Sequence, residues 1–482
     1  MKLRHGLVSA TALIALVGAA MPVKADTTAD LLLRLKEKGI LTEDEYQALL
    51  TRRTEETKAA TPAAAATTGS TAQVSTAVAP VQDAQTAAAS ALDDKRVVRI
   101  GENGGMDIGG VNIKITGSVN GFYTHDSGQR ASPTTTVVGG VATVGSKDTS
   151  SIRNGLLPGY FKLDVTTTQL GIDVGAHFGL YPGINSVDVG GGSNANSGGS
   201  PNALGSSGID ARQTYLTFGT KKFGEVKIGR DIGLFGSEGL LNDITLLTVG
   251  TAAGNAAPSN TSLGRIGVGY IYADWQPQIT YTSPLFAGVQ LAVGAFTPLE
   301  TAGRSEVNSQ PGFQAKLTYD YKDGPFAARA WLSGISQKHD AVDLLPSYTG
   351  RAFDTGAKLT YGPASIVGYY YNGKGVGTTG LFLLSTDAFG VKRKSNGFYA
   401  QGTMEFGKVT LAGSYGESNL DLADGEINPT LVSKNSSYVG QIRYGLTPWV
   451  TLITEYTHTM SDAHGENSAK SNTIATGAIL FF

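Results

Sequence analysis

From about residue 97 onward, apolar and polar side chains alternate with a period of two. In 111–123, Val111, Ile113, Ile115, Val119 and Tyr123 share one face, while Asn112, Lys114, Thr116, Ser118 and Asn120 share the other. The pattern returns in 312–321, where Phe313, Ala315, Leu317, Tyr319 and Tyr321 oppose Gln314, Lys316, Thr318 and Asp320. It recurs in 354–361, 397–406 and 437–446. An amphipathic helix repeats every ~3.6 residues, so this period predicts strands with one apolar face. Division on that basis gives sixteen expected strands, near 111–123, 159–167, 169–181, 211–219, 222–230, 272–283, 287–298, 311–321, 325–336, 351–361, 364–373, 396–406, 408–416, 436–446, 448–460 and 472–482.

The connections alternate long and short. Those at 220–221, 284–286, 322–324, 362–363, 407 and 447 are turn-like, whereas 182–210 is long, polar and rich in Gly and Ser. An even strand number with short turns at one end and long loops at the other predicts an all-β fold, a 16-stranded antiparallel transmembrane β-barrel. Both barrel termini then fall at the short-turn, periplasmic end. A soluble sandwich would bury each apolar face against a second sheet; sixteen long one-faced strands suit a single closed sheet better. Tyr123, Tyr160, Tyr281, Tyr319, Tyr361, Tyr415, Tyr438, Tyr444 and Trp449 lie near expected strand ends, where interfacial aromatics contact lipid headgroups. The final segment puts Ile474, Ala478, Leu480 and Phe482 on the lipid face of a closing strand, which must pair with 111–123 because a membrane barrel leaves no open edge. Ile479 and Phe481 then place apolar groups on the lumen side, near the periplasmic rim.

Residues 1–95 have another texture. Lys2, Arg4 and His5 precede an apolar run at 7–20, and Val23, Lys24 and Ala25 form a small–x–small cleavage site, so 1–25 reads as a signal peptide. The run is shorter than the ~20 residues of a membrane helix. Residues 26–58 read as a short helical periplasmic extension: 29–38 is amphipathic, Gly39 stops it, and Thr42 with Glu45 forms a capping box for a second helix. Such a pair is too small to hold a core alone; self-association, a cell-wall contact and a spacer role all remain open. Residues 59–95 are an Ala/Thr-rich linker, and 96–482 the barrel domain.

Composition narrows the chemistry. Charged residues make up 16% of the chain, against roughly 25% in an average soluble domain. There are no cysteines, so disulfides, thiol nucleophiles and thiolate metal sites are excluded. A net charge of −2 suggests no nucleic acid or other polyanion, and 28 Lys and Arg against 29 Asp and Glu from residue 96 onward predict no extreme ion selectivity. His125, His177, His339, His458 and His464 are scattered without metal-ligand spacing. Gly375 to Gly380 match GxGxxG but join two strands instead of opening a helix. No metal, cofactor or catalytic residue is expected; an outer-membrane hydrolase is the most distant alternative.

One long connection stands apart. After Arg230, Leu234, Phe235, Leu240, Leu241, Ile244, Leu246 and Leu247 surround Asp231, Glu238 and Asp243. Exposed, these apolar groups would be costly, so the loop (about 231–264) is expected to fold into the barrel.

In 212–219, 223–230 and 279–288, and in its C-terminal phenylalanine, the sequence resembles the general trimeric porins of Gram-negative bacteria, over roughly 111–482. The resemblance implies an outer-membrane homotrimer embedded in lipid. It also implies a water-filled channel for passive diffusion of ions and small hydrophilic solutes. In that family the loop after the fifth strand narrows the lumen, and its acidic residues face basic side chains on the wall. Carried over, Glu238 and Asp243 are the acidic candidates and Arg230 and Arg212 the basic ones, with Lys162 and Lys114 extending the basic wall. The family's Pro-Glu-Phe-Gly-Gly motif is absent, 236–239 being the nearest segment. Arg230 also has the parity of Val226 and Ile228, the lipid side, and reaches the pore only if its strand bends or ends there. The terminal phenylalanine serves in the family as an assembly signal, which marks Phe482, Leu480 and Ile474. Two other readings stay open: a sugar- or anion-specific porin with an aromatic ladder such as Tyr369, Tyr371 and Tyr399, and an envelope tether in which 26–58 grips the cell wall and the barrel is an anchor.

Overall fold

The computed structural model describes residues 99–100, 104–187, 206–252, 261–342 and 344–482. The expected signal peptide, helical extension and Ala/Thr-rich linker lie outside the described residues. Sixteen strands form one closed antiparallel wall: β1 (Val111–Arg130), β2 (Tyr160–Gln169), β3 (Ile172–Val187), β4 (Ser206–Thr220), β5 (Gly224–Ile232), β6 (Trp275–Thr282), β7 (Val289–Phe296), β8 (Gly312–Asp323), β9 (Phe326–His339), β10 (Tyr348–Tyr361), β11 (Ala364–Lys374), β12 (Lys394–Phe406), β13 (Val409–Leu420), β14 (Val432–Gly445), β15 (Val450–Ala463) and β16 (Ser468–Phe481). Each pairs with its sequence neighbour, and β16 returns to β1 in a ladder from Ser471↔Gly128 to Phe481↔Ser118.

The ladder closes on the last residue. Phe482 and Gly117 exchange two backbone hydrogen bonds, each 3.0 Å. The phenylalanine ring lies where a Gly117 side chain would be: a Cβ there would come within 2.2 Å of the ring. Beneath this contact, a short strand (Met106–Ile108) pairs with 111–113 through a turn at Gly109 and Gly110, both at positive φ. The edge of β1 is thereby covered below the C-terminus as well as above it.

Side-chain alternation follows the expected faces. On β8, Phe313, Leu317 and Tyr319 are exposed to the outside, while Gln314 and Thr318 are buried on the inside. On β16, Ile474 is half exposed and Ala475 is buried. Tyr160 departs from the expected girdle: it shares the inward parity of Lys162, and its neighbour Phe161 is exposed on the outside. Several strands also continue past the alternating segment at the long-loop end. β1 reaches Arg130 and β9 reaches His339, while β10 begins at Tyr348. Apolar alternation is imposed only where lipid touches the wall, whereas backbone pairing continues beyond it.

The largest apolar cluster lies inside the barrel. Phe235, Leu240, Ile266, Val268, Tyr270 and Ile271 of the β5–β6 connection pack on Trp331, Val367, Tyr369, Tyr371 and Tyr399 of the wall. A second cluster joins Val249 and Ala252 of that connection to Phe122, Ile453, Ala475 and Ile479. It accounts for the apolar lumen face noted at the C-terminus, since the inserted loop covers Ile479 and Phe481 packs at its margin. The β1–β2 connection also turns inward: the Val141 amide donates to Ser461 Oγ (2.9 Å), and Val138 pairs with Leu431.

Candidate functional site: the lumen constriction

The inserted loop is held by polar wall groups that meet its backbone. It leaves β5 at Gly233, and the Leu234 and Phe235 amides donate to Gln314 Oε1 (2.8 and 3.0 Å). Gly236 adopts φ +77°, which only glycine takes without strain, and its amide donates to Asp354 Oδ2 at 2.7 Å. One helical turn follows, α1 (Ser237–Leu241). The Tyr399 hydroxyl donates to Gly239 O at 2.8 Å, and Gln401 bonds both Asn242 O and the Ile244 amide (2.6 and 3.0 Å). Glu455 then accepts from Thr248 Oγ1 and the Gly250 amide (2.5 and 2.6 Å). The loop thus crosses from β8 to β15 against the inner wall. Its return limb is buried too, with Arg265 and Tyr270 fully enclosed, so the insertion ends at Asp274, not near 264.

The expected site residues occupy different places. Glu238 is buried on α1, where its carboxylate accepts from Arg329 Nε and Nη2 (3.0 and 2.9 Å) and from Lys316 Nζ (3.1 Å). It touches the wall it rests on, so it fastens the loop. Asp243 is buried as the N-cap of a 3-10 turn (Ile244–Leu247), accepting from the Thr245 amide (2.9 Å) and the Tyr270 hydroxyl (3.0 Å). Arg212 points inward because the β3–β4 register shifts between Gly179 and Leu180, a bulge that aims it into the lumen beside Gln213. It pairs with Asp210 at 2.9 Å and lies 5.0 Å from the Tyr181 ring centroid. Lys162 is on the inner face of β2, with Nζ 5.2 Å from the Tyr160 ring and 6.0 Å from that of Tyr181. Lys114 has inward parity on β1, in register with Asp164. Arg230 keeps the outer parity: its ladder partners are Pro277 and Thr214, both exposed, and no register shift interrupts β5, although Gly229 before it takes φ +137° and Ile232 after it packs against the interior cluster. Its charge acts on Asp274 at the end of the insertion, and it forms no ion pair with Glu238.

Lys316, Arg329 and Lys358 were not singled out in the sequence. Arg329 stands opposite Lys358 in the ladder, and both have inward parity. Lys316 was visible as a polar-face residue in the 312–321 alternation, but nothing local marks it as the partner of a loop residue far upstream. Lys227, also inward, pairs with Asp231 and sits 4.9 Å from the Tyr215 ring. The suggested tyrosine ladder does not line the channel: Tyr369 and Tyr399 stack at 5.4 Å beneath the loop, and Tyr371 is wholly buried.

A closed sixteen-stranded wall, apolar outside and polar inside, with a loop packed into a lumen of that width, defines a passive membrane channel of the porin class. Its sequence matches the profile described as Gram-negative porin over residues 59–464. The chain belongs to the Gram-negative porin family, and it is an outer-membrane channel for passive diffusion. Solved structures agree in fold. The outer membrane channel DcaP of Acinetobacter baumannii is 19% identical, with a TM-score of 0.58 over 77% of this chain and 98% of that one. An anion-selective porin from Comamonas acidovorans is 15% identical, with a TM-score of 0.52 over 77% of this chain and 100% of the other. None of the curated proteins matches the chain.

Proposed function

We propose that this porin favours anions among the small hydrophilic solutes it passes. One observation carries the reading. The acids around the inserted loop are engaged: Asp164 with His177, Asp231 with Lys227, Glu238 with Lys316 and Arg329, and Asp354 with Ser333 and the Gly236 amide. Lys162, Lys114 and Lys358, in contrast, form no ion pair among the described residues. Around the loop, acids are thus held in the scaffold while cations remain on the wall; Glu225 and Glu405, of inward parity near the short turns, form no ion pair among the described residues either. Fixed positive charge in a narrow aqueous passage raises local anion concentration. In a planar bilayer with a salt gradient, the mature protein is expected to give ohmic steps and a reversal potential of chloride sign. Lys162→Gln with Lys114→Gln should move that potential toward zero. An unchanged potential in the double variant would sink the assignment.

The reading includes a homotrimer with its N-terminal extension in the periplasm. A polar outer face on β15, β16 and β1 supports the assembly: Tyr456 and His458 both bond Asn472 (2.8 Å each), and His125 bonds Ser150 at 2.9 Å. Side chains of this kind suit a protein contact better than lipid. Glu or Asp placed at Thr454 or Thr476 on that face should shift the species in native gels from trimer to monomer. A solute-specific pore built on the tyrosine ladder is not favoured, because the inserted loop buries that ladder.

A further inference from the structure

The long-loop ends of β10, β11 and β12 carry a line of cations on the outside of the wall. Arg351 stands opposite Lys374, and Lys374 opposite Lys394. Their outward direction follows from parity: Phe353, Tyr370 and Phe398 on the same faces are exposed, while Asp354, Tyr371 and Tyr399 on the alternate faces are buried. Lys392 joins them, its Nζ held at 3.2 Å by Thr349 O on β10.

Like charges directly opposed on neighbouring strands repel and destabilise a sheet. Other cations of this rim have acidic neighbours: Arg130 with Asp148 (3.5 Å), Lys338 with Asp340 (2.6 Å) and Lys434 with Asp462 (3.8 Å). In the line of three, only Lys374 approaches a carboxylate, that of the exposed Asp424 at 3.9 Å. Arg351 and Lys394 form no ion pair among the described residues.

The layers beneath give the depth of this line. Next toward the membrane are amides, with Asn372 opposite Asn396 and Asn419 donating to Asn396 at 3.2 Å. Then comes an aromatic belt: Phe353 with Tyr370 (6.2 Å), Phe398 with Tyr415 (6.0 Å) and Tyr415 with Tyr438 (4.7 Å). Below lie Ile366, Leu359 and Leu411, all exposed to the outside. Aromatic belts mark the headgroup boundary, so cations just beyond them stand among the headgroups of the outer leaflet. Strands are spaced ~4.8 Å apart, so the line spans about 10 Å, enough to meet two phosphates on one headgroup.

We propose that Arg351, Lys374 and Lys394 form a docking site for the phosphate groups of an outer-leaflet glycolipid, whose acyl chains run down the wall below the aromatic belt. The site faces lipid, not the lumen, so it stands or falls independently of the anion preference.

The test uses the full mature protein, delipidated in detergent, with bisphosphorylated lipid A as probe and the same lipid stripped of phosphate as control. Binding is read by native mass spectrometry. The wild type should retain the phosphorylated lipid at least about tenfold more strongly than Arg351→Gln/Lys374→Gln/Lys394→Gln, consistent with the contribution of each basic residue beside an anionic leaflet. The stripped lipid should bind both proteins alike and weakly. Unchanged single-channel conductance certifies the fold of the triple variant. If that variant does not assemble, Arg351→Gln/Lys394→Gln is held to the same criterion. Equal retention by wild type and variant overturns the proposal, as does equal binding of the stripped lipid. Displacement by inorganic phosphate at matched concentration also overturns it, because the ligand would then be a free anion and not a lipid.

Discussion

Glu238 and Asp243 lie on one loop and were legible for one reason, as acids inside an apolar stretch. Their roles were not legible, because the partners that decide them are distant in sequence. Lys316 and Arg329 make Glu238 a fastener, whereas Thr245 and Tyr270 make Asp243 a cap. Their neutral variants should therefore diverge. Glu238→Gln frees Lys316 and leaves Arg329 held by Asp320 alone (3.0 and 2.8 Å), so it should move the reversal potential further toward chloride, while weakening loop attachment by about 2 kcal/mol, typical of a hydrogen bond to a charged group. Asp243→Ala should leave the potential nearly unchanged and cost about 1 kcal/mol as a lost cap, read from the thermal transition. Equal shifts of potential in both variants would contradict these assignments. Arg230 teaches the same lesson in reverse: strand parity placed it outside, and parity held against the role implied by resemblance.

Elements were legible wherever an apolar face was imposed from outside. All sixteen strands announce themselves by alternation, yet their upper ends do not, since above the membrane both faces are polar and only the backbone ladder continues. The inserted loop was visible from its apolar content. Its return limb was not, because 261–274 owes its burial to contacts with distant strands, such as Arg265 with Ser437 (3.2 Å) and the Gly269 amide with Ser418 (2.8 Å). The extracellular loops have fasteners of their own. Arg393, just before β12, grips Glu426 of the β13–β14 loop through two hydrogen bonds (2.8 and 2.5 Å), which hold the carboxyl down to about 2. A value depressed from the ordinary 4.5 means the clasp contributes fully above that value and is lost as pH falls through about 2. Protection factors of 421–431, which remove the intrinsic pH dependence of amide exchange, should thus be the same at about pH 5.5 as at neutrality and fall only at lower pH. Glu426→Gln should lower them at neutrality. Protection already lost at about pH 5.5 in the wild type would refute the clasp.

At the scale of the whole barrel, closure depends on a contact no local pattern announces, although the apolar final strand made its partner inferable. Gly117 and Phe482 are that contact. Gly117→Val should displace the phenylalanine ring and lower the temperature at which the barrel loses its compact, heat-resistant band on gels. A wild-type gel shift in this variant would mean the ring packs elsewhere. The closing ladder joins 118–128 to 471–481, so nearly the entire wall separates its two halves along the chain. Joining ends so remote carries a large loop-closure entropy, and topologies rich in such pairings fold slowly. Until the final residues arrive, β1 and the growing opposite edge both remain unpaired, ready to accept a foreign strand. The seam between β1 and β16 therefore doubles as an inspection step: a chain cut short near its end keeps two sticky edges, and only an intact one can hide them.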